Sequence, residues 1–153
     1  GRPRVLFLSN YKKWKGYASV QDACNRLGLA WTVRGAPYGR SRDVAADINK
    51  HDLVISWGRG VLEAMACGRA AVSFDKSQGD GYLTAETYLR GREHNFCAHG
   101  CVYQDVGPDW LMGELRRYTS GDGRVNRQLI LDHHHHVAGV DQVLASIERV
   151  LHG

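Results

Sequence analysis

No apolar run in this chain approaches the roughly twenty residues that a membrane-spanning helix requires. Low-complexity repeats are missing as well, so the composition reads as that of a soluble, globular domain. Neither sign of charge is in great excess: 20 basic residues face 16 acidic ones, for a formal net charge of +4 and a pI near 9.0. Such a balance suits an anionic ligand, an acidic partner or a membrane surface, and it does not require nucleic acid. Cysteine is scarce, and none of Cys24, Cys67, Cys97 and Cys101 belongs to a Cys-x2-Cys pair. Cys24 and Cys67 fall in amphipathic helical patterns, where a free thiol serves as a small core residue; this predicts a reduced, cytoplasmic protein. A Gly-x4-Gly-Lys-Ser/Thr phosphate loop and a Gly-x-Ser-x-Gly nucleophile elbow are both absent, which removes those NTPase and hydrolase signatures. No secretory leader is expected, and a start at Gly1-Arg2-Pro3 without an initiator Met predicts a natural N-terminus further upstream.

What is present is one domain's worth of chain: 153 residues, 43% of them apolar, enough to bury a core. Its most informative stretch runs from Asp52 to Asp75. Leu53 to Ser56 is a short apolar run suited to a buried strand, Gly58-Arg59-Gly60 is a tight turn, Val61 to Cys67 is helix-forming, and Ala70 to Phe74 is apolar again. So short a crossover between two apolar runs predicts parallel strands with the helix packed on their face. In an open sheet of this kind the ligand crevice lies at the carboxyl ends of the strands, where Ser56 to Gly60 fall. The N–H groups that open the helix attract anions such as phosphate there.

The rest of the chain alternates in the same way. Arg4 to Leu8 predicts a central strand, Tyr17 to Leu27 a helix with Val20, Ala23, Cys24 and Leu27 on one face, and Gly28 its C-cap. Leu29 to Val33 predicts a second strand, Gly35 to Ser41 a loop, and Arg42 to Lys50 a helix. This alternation predicts an α/β domain, a Rossmann-like open parallel sheet with helices on both faces. It also carries Lys12, Lys13 and Lys15 to the same sheet edge as Gly58 to Gly60. Lys76 to Thr84 reads as a glycine-bearing loop, followed by a helix from Ala85 that Thr84 caps. Cys101 to Tyr103 predicts a last short strand. Helices are expected over Asp109 to Tyr118, Arg124 to Leu131 and Val137 to Leu151, with a break at Gly121-Asp122-Gly123.

Two stretches look chemical without the right spacing. Cys97-Ala98-His99-Gly100-Cys101, with His94 and the His133 to His136 run, has the ligand types of a zinc site, but the cysteine spacing is not that of structural zinc; no metal is expected. Gly58-Arg59-Gly60 begins a Gly-x-Gly-x-x-Gly fingerprint whose third glycine is replaced by Glu63, and it follows the third strand rather than the first. NAD is therefore disfavoured.

The string from Gly60 to Val72, GVLEAMACGRAAV, resembles the G-x-x-L-E-A-M-A-x-G-x-P-V-V signature of GT-B glycosyltransferases of the group 1, glycogen-synthase-like family. That signature belongs to the C-terminal, nucleotide-sugar-binding half of those enzymes. The resemblance implies that Glu63 holds the nucleotide ribose, that Lys15 of the Lys15-Gly16 pair meets the donor diphosphate, and that Gly58, Arg59 and Gly60 cradle phosphate. It also likens Gly79, Asp80 and Gly81 to a loop that closes over the donor. It implies sugar transfer from a nucleotide-diphosphate sugar to an acceptor hydroxyl, with no further cofactor and no metal. The acceptor and the catalytic base would come from a missing N-terminal domain or subunit, and a peripheral membrane association of the full enzyme fits the basic balance. The family's Glu-x7-Glu pair is incomplete, because its first position falls on Ile55. A nucleotide-sugar epimerase half-domain and a non-catalytic binding module are the alternatives; the catalytic residues are not identifiable.

Overall fold

The computed structural model describes residues 1–10, 15–36, 38–97 and 100–134. Apolar tetrads become buried strands: β1 (Val5–Leu8), β3 (Leu53–Ser56) and the longer β4 (Ala70–Asp75) are flanked by strands on both sides. β2 (Trp31–Arg34) forms one edge and alternates half-buried with exposed residues, as an edge strand should. A fifth strand, β5 (Gln78–Tyr82), forms the other edge, giving the order β2-β1-β3-β4-β5. The first four strands are parallel; β5 runs antiparallel to β4.

The helices divide between the two faces. Packed on one are α1 (Lys15–Leu27), through Val20, Ala23 and Cys24, and α5 (Pro108–Leu115), through Leu111, Met112 and Leu115. They meet Val5, Phe7, Leu53, Ile55, Val72 and Phe74. On the other lie α2 (Val44–Asn49), α3 (Arg59–Ala66), α4 (Ala85–Arg92) and α6 (Asp122–His133), against Leu6, Val54 and Ala71. Strand side chains alternate between these two clusters, as the period of two requires. Helix starts follow local chemistry: Asp43 accepts the Ala46 N–H at the head of α2, and Thr84 and Thr87 form a reciprocal capping box at the head of α4.

Three expectations need correction. Lys76 to Thr84 is not a loop: Gln78 to Tyr82 folds back on β4, with Ser73 opposite Gly81 and Val72 opposite Tyr82. Gly79, Asp80 and Gly81 are therefore buried strand residues that cannot close over a ligand as a loop. The sheet is mixed for the same reason. The strand expected at Cys101 to Tyr103 reduces to one bridge, Tyr103 with Gly79. The break between α5 and α6 is present but ends at Gly121, the N-cap; Asp122 and Gly123 already belong to α6, because Asp122 suits a helix N-terminus and accepts hydrogen bonds from Thr119 and from the Tyr82 hydroxyl. The helix expected over Val137 to Leu151 lies outside the described residues.

Candidate functional site

The strand order reverses direction between β1 and β3, since the chain leaves β1 toward β2 and then crosses back to the other side. In open α/β sheets such a switch point opens a crevice at the carboxyl ends of the strands. Here the crevice is a cleft of about 740 Å³, within the range of ordinary small-molecule sites. Its lining comes from the ends of β1 (Leu8, Ser9, Asn10), β3 (Ser56, Trp57) and β4 (Asp75), from Gly35, Ala36, Arg40, Ser41 and Val44 after β2, from the start of α3, and from Cys97.

The α3 turn is built by close approach. Gly58 takes a φ of 55°, a left-handed conformation that a side chain would strain, and a Cβ there would sit 3.2 Å from Cys97 Sγ. Gly60 must lack a side chain because one would collide with Ser56 Oγ, which donates to the Leu8 carbonyl at 2.8 Å and ties the ends of β1 and β3 together. Some of the turn's donors are already engaged: Gly58 N–H donates to Phe96, Gly60 N–H to Trp57 and Val61 N–H to Gly58. The positive end of the helix still faces the cleft, although fewer free N–H groups stand there than a bare helix terminus would offer.

Of the residues expected at the site, Gly58, Arg59, Gly60 and Glu63 all line the cleft. Arg59 donates to Glu63 across one helical turn at 2.8 Å, with the arginine side chain 89% exposed. An exposed pair of this kind contributes about 0–1 kcal/mol, so either partner is readily taken over by a ligand. The backbone of Lys15 opens α1 at the same sheet edge. Gly16 wedges that helix against the β4–β5 turn, for a Cβ would stand 2.6 Å from the Lys76 nitrogen and 3.0 Å from an Asp75 carboxylate oxygen. Lys12, Lys13 and the Lys15 side chain lie outside the described residues, as does His99. Gly79, Asp80 and Gly81 are not among the cleft residues. Asp80 is instead buried beside Ser73, with His94 at 3.4 Å.

Two cleft residues carry chemistry that the sequence reading passed over. Arg40 adds a second guanidinium, on the segment after β2. Asp75, 4% exposed, lies in the floor; its Oδ2 accepts from Ser9 Oγ at 2.9 Å and its Oδ1 from the Lys76 N–H at 2.7 Å. Burial raises its pKa above the ordinary carboxylate range, opposed by those two hydrogen bonds and by the positive charge of Lys76. The signal was a lone charge closing an otherwise apolar strand, placed by topology at the ligand edge.

Two of the cysteines are held as thiols by burial. Burial pushes the Cys24 thiol up to about 12 and that of Cys101 up to about 11, so neither is a thiolate near neutrality. All four cysteines are free. Among the described residues no group of three or more His, Cys, Asp or Glu side chains could hold a metal ion. Family models, curated proteins and solved structures give no match to this chain.

Proposed function

We propose that this chain is the donor-binding domain of a GT-B glycosyltransferase and takes a nucleoside-diphosphate sugar across the carboxyl edge of its sheet. The observation that carries the reading is convergence: the signature glutamate Glu63 and the glycine turn Gly58 to Gly60 line one cleft, at the switch point of a Rossmann-like sheet. Glu63 would accept from the ribose hydroxyls. Arg59, released from Glu63, and Arg40 would neutralise the diphosphate together with the α3 N-terminus. Fixed positive charges of this kind also favour departure of the diphosphate during transfer, without a metal.

The test is a titration of nucleoside diphosphates and their sugar esters into the chain with chelator present, followed by calorimetry. Binding of at least one pair without divalent cations is the expected result; binding that begins only on adding a cation would count against the reading. A second reading, a nucleotide-sugar-binding module without turnover, is favoured by Ile55. It is fully buried among the strands, so no carboxylate stands where the family's first glutamate would act.

A further inference from the structure

We infer that Asp75 is the specificity residue of this cleft and accepts hydrogen bonds from the hydroxyl groups of the sugar carried by the diphosphate, an inference that rests on the donor-binding reading. The cleft brings together groups of different chemistry from different elements. Arg40 and Arg59, together with the α3 N-terminus, lie on the segment after β2 and on the α3 turn. Asp75 lies at the end of β4, and its bond to Ser9 at the end of β1 reaches over the end of the intervening β3. A phosphate placed against a buried carboxylate would meet like charge in a poorly solvated place, whereas an uncharged polyol would meet an acceptor. Phosphates therefore suit the arginines and hydroxyls suit Asp75.

The carboxylate is held ready for that task. Ser9 Oγ and the Lys76 N–H each engage one of its oxygens, and α1 closes behind it at Gly16, where there is no room for a side chain. Each carboxylate oxygen can accept two hydrogen bonds, so each has capacity beyond the one bond described for it. An acceptor fixed in this way costs little further ordering when a ligand arrives. Burial disfavours its charged form, so keeping a carboxylate there costs stability. A use in the cleft accounts for the cost.

The experiment compares Asp75→Asn with the wild type, using the nucleoside diphosphate that binds the wild type best and the glucose ester of that nucleotide. Asn can satisfy both present partners, with its carbonyl toward Lys76 N–H and its amide toward Ser9 Oγ. Affinity for the glucose ester should fall about tenfold or more while the free diphosphate stays within about threefold. Deoxy-glucose esters complete the cycle: removing the contacted hydroxyl should weaken wild-type binding by a similar factor and leave the variant unchanged. The wild-type half of that series reads the contact even where the variant folds poorly. Equal losses for diphosphate and ester, or a wild type indifferent to every hydroxyl, would overturn this inference alone. A wild type that binds neither nucleotide nor ester would overturn the donor-binding reading and this inference with it.

Discussion

At the scale of single residues, the site depends on which charges are free to change partners. Glu63 is 31% exposed in its side chain, accepts from the exposed guanidinium of Arg59, and lines the cleft. Glu63→Gln should therefore leave the melting temperature nearly unchanged. Nucleotide binding should weaken by about 1–3 kcal/mol if a charge-assisted hydrogen bond to ribose is lost. An unaltered dissociation constant in calorimetry would return Glu63 to the helix surface. Asp75 differs in kind, because its partners are internal and its burial is nearly complete. It was invisible as a site residue in the sequence, since nothing in VSFDK says that Ser9 lies across β3 from it. By contrast, Glu63 and the glycine turn were legible, because the strand, turn and helix that place them are contiguous.

At the scale of elements, the strands and helices up to Asp75 follow from pattern: apolar runs bounded by Gly or polar residues, alternating with segments of helical period. The stretch just after Asp75 misleads because β5 does not look like a strand, whereas the helix from Ala85 with its Thr84 cap was legible. QGDGY has two glycines and an aspartate, residues depleted in strands, and it forms one only because β4 supplies partners and little space. A side chain at Gly79 would collide with the Ser73 carbonyl, and its N–H and carbonyl are both paired with Tyr103. Gly79→Ala should cost about 2–4 kcal/mol of stability in urea unfolding. Gly113, in α5 with nothing within 4 Å of an added Cβ, is the internal comparison: Gly113→Ala should stabilise by about 0.5–1 kcal/mol. Two alanine variants of equal stability would show that β5 is packed less closely than described.

At the scale of the whole molecule, the proposed donor-binding role predicts no turnover by this chain alone. On the donor-binding proposal Glu63 and Asp75 serve the donor, and among the described residues no other carboxylate or histidine lines the cleft as an evident base for an acceptor hydroxyl. An open crevice also leaves acceptor and donor unconstrained in water. The chain alone should bind donor and transfer no sugar. Glycosylation of an acceptor above the rate of donor hydrolysis would place the base within these residues. No helix among the described residues is long and apolar enough to cross a membrane.

The reversed fifth strand bears finally on the order in which the chain finds its fold. Val72 and Tyr82 are close in sequence and pair across a short turn, whereas Val5 and Leu53 pair only after α1, β2 and α2 have been looped out between them. Hairpins form in about 1–10 μs, and parallel pairings wait on the entropy of closing long loops. The β4–β5 ribbon is thus suited to be the nucleus onto which β3 and then β1 condense. Truncations at Val72 should slow refolding in proportion to the stability they remove, while truncations at Leu6 should chiefly speed unfolding. The reverse pattern in stopped-flow measurements would put the nucleus in the parallel half of the sheet.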